Sequence, residues 1–390
     1  MRIIKKSARI LEYLLETLKY IVLYPIARLC YRNRHIRIFA ERGNDARDNG
    51  YHMYRFYREH HPELESYYVI SEDSADREKV VPLGNVVEYG SLNHYLLFIA
   101  AEYKISTHIM GYSPNIDYYS RFADRLRLKG YRVFLQHGVI KDDLTALYRH
   151  KTNLNIFICG AKPEFDFVSD NFGYHDGEVK YTGLARYDEL HDFNLKKQIL
   201  CMPTWRKYLK YDPALKIEDS EYVKMWNSLL SNEELISALR KNNIQLVFYP
   251  HYELQKHLAV FQSACKEVVI ASFEKYDVQQ LLKESQLLIT DYSSVFFDFA
   301  YMEKPVIYFQ FDNERFSKEH YSKGYFEYET MGFGEVALYE SDLVKILLSY
   351  IDSDFSMKAE YKHRIDSFFP LHDKKNCQRI FDEIEGLKLN

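Results

Sequence analysis

Read for the alternation of apolar and polar positions, the chain falls into two series of short hydrophobic runs separated by stretches of helical period. The first series comprises His35–Phe39, Tyr67–Ile70, Lys104–His108, Arg132–Leu135, Asn155–Cys159 and Val179–Thr182, with helix-like segments such as Gly50–His60 and Leu92–Tyr103 between them. The second begins near Gln198 with Ile199–Met202, Gln245–Tyr249, Val268–Ala271, Leu287–Thr290 and Pro305–Phe309, and carries helical pattern over Glu221–Lys241 and Val278–Ser285. Strands that alternate with helices predict parallel sheets covered on both faces. Two series predict two sheets, hence an α/β chain of two Rossmann-like domains facing a cleft. The polar passage Asp188–Lys197 is the expected hinge, and a charged helical tail follows from Ser341. Length agrees, because 390 residues exceed the roughly 250–300 that one core accommodates. The expected divisions are an arm at 1–37, a first domain at 38–188, a second at 189–340 and the tail at 341–390.

The arm has a pattern of its own. Ile4, Ala8, Leu11, Leu15, Leu18 and Val22 recur at spacings of four and three, with Arg2, Lys5, Arg9, Glu12, Glu16 and Lys19 on the opposite side. Residues 1–37 carry nine Lys or Arg against two Glu, a surplus of seven, so the rest of a chain whose net charge is -4 carries -11. An acidic body disfavours general nucleic-acid binding. A basic amphipathic helix followed by the cluster Arg28 to Arg37 suits the anionic cytoplasmic surface of a membrane, and the expectation is peripheral attachment there. A surface helix packed on its own domain is the alternative. The longest apolar run, Tyr20–Cys30, is interrupted by Pro25 and Arg28, well short of the ~20 apolar residues a crossing helix needs. Glu12 and Glu16 fall where a secretory signal would be apolar. Five scattered cysteines without a Cys-x-x-Cys pair predict a reducing compartment, with neither a disulfide framework nor a structural zinc site.

In open parallel sheets ligands bind beyond the carboxyl ends of the strands. Four strand-like runs end in polar clusters: Gln136-His137-Gly138, Thr204-Trp205-Arg206, Pro250-His251, and Asp291-Tyr292-Ser293-Ser294 after Thr290. The last enters the apolar helix that contains Asp298, and a serine pair at a helix start suits an anion, although a plain N-cap has the same appearance. Arg206 offers a fork for phosphate oxygens, or belongs to a solvated basic loop with Lys207 and Lys210. His251 adds a donor to a diphosphate, or caps its strand. His137 stands apart in the first half, followed by Gly138, which lets a substrate approach the backbone; a neutral imidazole there suits a general base, and a structural histidine is the alternative. The P-loop, nucleophile-elbow and zincin motifs are absent, Gly332-Phe333-Gly334 is too short for a dinucleotide site, and His60-His61 and Asp142-Asp143 lack metal-ligand spacing. No metal or cofactor is expected.

The order of motifs resembles the CDP-glycerol glycerophosphotransferase family of teichoic acid and related capsule synthesis. The matching pieces are Phe39-Ala40-Glu41-Arg42-Gly43 with Asp48-Asn49, Gln136-His137-Gly138, Gly183 to Asp188, Pro203 to Arg206, Tyr249-Pro250-His251, Thr290 to Ser294 with Asp298, and Lys304-Pro305-Val306, followed by Tyr321, Gly324 and Tyr325–Glu329. The resemblance implies a glycosyltransferase-B-like fold, membrane association through the basic N-terminus, and transfer of a polyol phosphate from CDP-glycerol or another CDP-polyol to a lipid-linked saccharide or polymer, with release of CMP. It makes His137 the general base, with His251 counted beside it as catalytic. Gly138, Arg206, Thr290, Asp291, Ser293, Ser294 and Asp298 become the substrate-binding set. Asp291 and Asp298, as carboxylates beside a diphosphate, are expected to orient neighbours or meet the polyol. Gln136 and the following Val139-Ile140-Lys141 depart from the commoner pattern, as does Tyr252 after His251. Glycerol against ribitol, and one unit against many, stay open. A nucleotide-sugar glycosyltransferase of the same fold is the enzymatic alternative. A non-catalytic membrane-surface component of an envelope assembly complex is the alternative of another class.

Overall fold

A computed structural model describes residues 2–126, 128–211, 216–263, 265–319 and 323–387, and the side chains of those residues other than 2–8, 210–211 and 319. Tyr321 and the side chains of Arg2, Ile4, Lys5, Ala8 and Lys210, invoked above, lie outside the described set. Thirteen described strands form two parallel sheets. The first holds β1 (Arg37–Ala40), β2 (Ser66–Ile70), β3 (Val86–Glu88), β4 (Tyr103–Ser106), β5 (Tyr131–Phe134), β6 (Ile156–Cys159) and β7 (Val179–Tyr181) in the order β3-β2-β1-β4-β5-β6-β7. The second holds β8 (Gln198–Met202), β9 (Gln245–Phe248), β10 (Val268–Ile270), β11 (Leu287–Thr290), β12 (Val306–Phe309) and β13 (Gly334–Ala337) in the order β10-β9-β8-β11-β12-β13.

The central strands are buried throughout, which is why they read as unbroken apolar runs: helices cover both faces. Along β1, Phe39 joins the core with Met53, Tyr54 and Tyr57 of the helix Asn49–His60. Ile38 and Ala40 join the opposite core with Tyr95 and Phe98 of the helix Leu92–Ala100, as the two-residue period of a strand requires. The sequence pattern missed β3 and β13, both short edge strands. The single helical stretch expected over Glu221–Lys241 is two helices, Glu221–Leu230 and Glu233–Asn242, because Asn232 accepts from the Leu235 N–H and starts a second helix.

The arm forms one helix, Arg2–Cys30. Glu16, Tyr20, Leu23 and Ala27 are buried against the first domain, where the Glu16 carboxylate accepts from the Tyr95 hydroxyl. Leu11, Leu15, Leu18 and Val22 of the expected stripe are exposed, and so are Leu14 and Ile21 beside them. Among the described residues no helix is long and apolar enough to cross a membrane.

The tail divides between the two domains. Leu343, Val344 and Leu347 of the helix Glu340–Asp352 enter the core of the second sheet, whereas the helix Asn376–Glu385 returns to the first, where Glu385 accepts from the Arg37 guanidinium and the Tyr57 hydroxyl. Asn376 is held by Asp188, whose carboxylate accepts from its backbone N–H at 2.8 Å and its side-chain amide at 2.7 Å. Gly183 passes so close that a Cβ would lie 1.8 Å from Asn376 Oδ1, at a φ of +80°. Gly183→Ala is therefore expected to destabilise the protein by about 1–3 kcal/mol in urea unfolding, from overpacking and backbone strain together.

Candidate active site

The carboxyl ends of β1, β5, β8 and β11 bring together most of the polar residues singled out above. Immediately after β5, Gln136 has a φ of +67°, a left-handed turn that swings His137 into the cleft. The turn is braced from below: Gln136 Nε2 donates to Glu164 at 2.8 Å, and the Glu164 carboxylate also accepts from the Ile140 and Gly160 N–H groups. Asn49 Nδ2 donates to the Gln136 carbonyl at 2.8 Å. The side chain of His137 remains 63% exposed, open to the cleft.

Its Nδ1 lies 2.5 Å from Asp48 Oδ2. With the Nδ1 proton held by this carboxylate, Nε2 of the neutral ring is left as an acceptor. Asp48 raises the pKa of His137 by favouring the imidazolium, and that attraction outweighs desolvation. Asp48 is itself positioned closely. Burial acts to raise its pKa, but Arg186 and then His137 hold it well below the usual carboxylate range. The loop carrying it wraps Glu41, whose carboxylate accepts from the backbone N–H groups of Arg47, Asp48 and Tyr51 at 2.9–3.1 Å.

Arg186, just beyond β7, links the two domains. Its Nη1 donates to Asp48 Oδ1 at 2.7 Å and to the His137 carbonyl at 2.9 Å, while Nε and Nη2 hold Asp298 of the second domain at 2.7 and 2.9 Å. Asp298 is thus an orienting residue whose carboxylate is engaged by the arginine. A Cβ on Gly138 would lie 3.4 Å from Ser294 Oγ, so across the cleft the histidine loop faces the serine pair.

On the second domain the serines stand at the start of a helix of 7 residues, Val295–Tyr301. Ser294 is exposed and its hydroxyl makes no capping bond, unlike the plain N-cap considered as the alternative. His251 accepts from the Glu253 N–H through Nδ1 at 3.2 Å, which places the proton of the neutral ring on Nε2. Burial lowers its pKa and keeps it neutral. His251 is therefore the N-cap of the short helical segment Tyr252–Val260, with its Nε2–H left to donate.

Two members of the expected substrate-binding set are placed differently. Arg206 is 1% exposed; Asp312 binds it in a fork at 2.7 and 2.9 Å, Asp291 pairs with it at 2.8 Å, and Nη1 donates to the Thr204 carbonyl. It lies under the site as the centre of a buried ion cluster. The Thr290 hydroxyl donates to the Met202 carbonyl at 2.7 Å, joining β11 to β8. Asp291, fully buried, accepts from the Thr204 and Tyr292 N–H groups and so ties two strand-end loops together. The sequence reading did not single out Asp48 or Arg186, although both stand in the quoted motifs, and Asp48 had a local signal as the residue just before a helix start.

Two parallel α/β domains that face each other across a cleft define the glycosyltransferase-B-like class. Solved structures of that shape are similar over nearly the whole chain. The wall teichoic acid polymerase TagF superposes with a TM-score of 0.69 at 18% identity, covering 98% of this chain and 97% of that one. UDP-GlcNAc 2-epimerase from Neisseria meningitidis, bound to UDP-GlcNAc, gives 0.51 at 11% identity, with 90% and 99% covered. The chain belongs to the CDP-glycerol:poly(glycerophosphate) glycerophosphotransferase family, whose sequence profile matches residues 23–386. Minor teichoic acid biosynthesis protein GgaB of Bacillus subtilis (strain 168) is 32% identical over 375 residues, which are 92% of this chain and 41% of that protein. Teichoic acid glycerol-phosphate primase of the same strain is 22% identical over 278 residues, 67% of this chain and 69% of the primase. The chain thus spans less than half the length of GgaB and of the B. subtilis teichoic acid poly(glycerol phosphate) polymerase, which it matches at 23% identity.

Proposed function

We propose that the chain transfers a polyol phosphate, in the first place glycerol phosphate, from a CDP-polyol to a hydroxyl of a lipid-linked saccharide or polymer, releasing CMP. The observation that carries this reading is the Asp48-oriented His137, with Nε2 open to the cleft opposite the Ser293-Ser294 turn. In the reaction, Nε2 of His137 takes the proton of the acceptor hydroxyl. The acceptor oxygen forms a bond to the polyol-side phosphorus, and the bond from that phosphorus to the bridging oxygen breaks. CMP leaves as an anion and needs no proton. His251 Nε2–H and the hydroxyls of Ser293 and Ser294 donate to the diphosphate and stabilise the charge that develops on the leaving phosphate. Arg206 and Asp291 act from beneath by fixing the loops that carry these groups.

The test is release of CMP by the purified protein from CDP-glycerol and from CDP-ribitol, with a membrane extract as the source of acceptor. Acceptor-dependent release is expected, and the better donor names the polyol. No CMP from either donor overturns the reading and turns attention to nucleotide sugars.

The arm supports attachment to the cytoplasmic face of the membrane, where a lipid-linked acceptor would be met. Its outer face exposes Leu11, Leu14, Leu15, Leu18, Ile21 and Val22, and an apolar cavity of ≈ 470 Å³ opens between the helix and Tyr118, Phe122 and Leu126. Leu15→Asp with Leu18→Asp is expected to weaken co-sedimentation with anionic vesicles at least about tenfold, because each buried leucine contributes about 1.5–3 kcal/mol. Both side chains face away from the domain, so folding is expected to be unaffected. Unchanged sedimentation rules out this face as the contact.

A further inference from the structure

The buried charges around the strand ends leave a diphosphate poorly matched. Arg186 answers to Asp48 and Asp298, and Arg206 to Asp291 and Asp312, so each arginine faces two carboxylates and both clusters are net negative. His251 is kept neutral by burial, and so is His108, whose pKa falls to about 3 through burial and the nearby positive groups. A dianionic donor entering between two net-negative clusters needs a cation that is not already neutralised.

Arg42, at the carboxyl end of β1, meets that need. It is exposed, and its Nε donates to His108 Nε2 at 2.9 Å, so its hydrogen-bond partner is an uncharged ring rather than a carboxylate. That ring stands 4.9 Å, centroid to centroid, from the ring of His137. Arg42 is close enough for its charge to act on His137 and His108 of the first domain and on His251 of the second. The bond through Nε orients the fork and leaves its Nη groups available for phosphate oxygens. Arg47, a few residues on, is unlike it: its guanidinium is paired with Asp76.

We propose that Arg42 is the phosphate-binding cation of this cleft, taking the non-bridging oxygens of the donor's polyol-side phosphate and holding that phosphorus within reach of the acceptor oxygen beside His137. His108 is the positioning residue that aims the guanidinium. The inference rests on the transfer reaction proposed above and gives a role to a residue that stands in a quoted motif without one.

The test uses the full chain with Arg42→Ala and Arg42→Lys, reading acceptor-dependent CMP release from CDP-glycerol together with equilibrium binding of CDP and of CMP. CMP lacks the second phosphate. Arg42→Ala is expected to lower kcat/KM about 10²-fold and to weaken CDP binding at least about tenfold, while CMP binding stays as in the wild type; Arg42→Lys recovers part of both losses. Activity within threefold of wild type, or equal losses for CDP and CMP, overturns the assignment. Wild-type CMP release reports on the reaction, whereas the contrast between CDP and CMP reports on Arg42, so the two readings fail separately.

Discussion

His137→Ala is expected to lower the turnover of acceptor-dependent CMP release by about 10²–10⁴, the range a general base supplies. Asp48→Asn should lose nearly as much without touching the histidine. An asparagine presents an amide N–H to Nδ1, which drives the ring proton to Nε2 and turns the face meant to accept the acceptor's proton into a donor. The two losses should not add, because the residues act as one unit. Acidity separates this account from simple misfolding. The imidazole must be neutral to work, and Asp48 raises its pKa. The acidic limb of kcat in the wild type therefore lies above the ordinary histidine value, and activity rises as pH passes through it. Removing the carboxylate lowers the pKa and moves that limb to lower pH even as the plateau falls. A pH–rate profile of Asp48→Asn with its acidic limb where the wild type has it would contradict the dyad.

The second large effect is on stability. Arg206→Leu is expected to destabilise the protein by about 3–5 kcal/mol in urea unfolding, the usual penalty for removing one partner of a buried ion cluster. Asp291 and Asp312 are both buried, and without the guanidinium each loses the cation that compensates it where solvent does not reach. The rings of Tyr222, Tyr292 and Phe316 around the guanidinium, at 5.0–5.1 Å, would also lose their cation. A variant that unfolds like the wild type while losing affinity for CDP would return Arg206 to the substrate.

That contrast marks how far the sequence carried. Strand positions were legible because β1, β8, β11 and β12 lie inside their sheets, so burial on both faces writes them as apolar runs. β3 and β13 escaped because each carries a glutamate within its three or four residues and β13 begins with glycine, whereas the equally short edge strands β7 and β10 were read from their apolar runs. The polar clusters at strand ends were legible for the same topological reason. The partners of each side chain were not. Asp312 stands 106 positions from Arg206, in a polar run beyond β12 that nothing in the sequence ties to the arginine, so an arginine that ends in a buried pair reads the same in sequence as one that meets a phosphate. Thr290 is similar: its hydroxyl is taken by a carbonyl of the neighbouring strand, 88 positions away. Arg186 spans a still longer gap to Asp48, 138 positions, and its bridging of two domains is visible only once the cleft is assembled.

The chain passes between the domains twice, once after β7 through Tyr187-Asp188 and once where the tail returns at Asn376, and the two passages are bonded to each other. Tyr187 lies flat on Tyr301 at the same place, with ring centroids 4.1 Å apart. Two covalent links fastened side by side would act as the pin of a door: any swing of one domain on the other would turn about that line, and sliding or twisting of one past the other would be resisted. Displacement then grows with distance from the pin. The weak contacts on the distant rim, Lys79 with Asp277 at 3.8 Å and Arg47 over the Phe273 ring at 4.7 Å, would part furthest for a given angle, while Arg186 and its two carboxylates bind the halves together across the cleft.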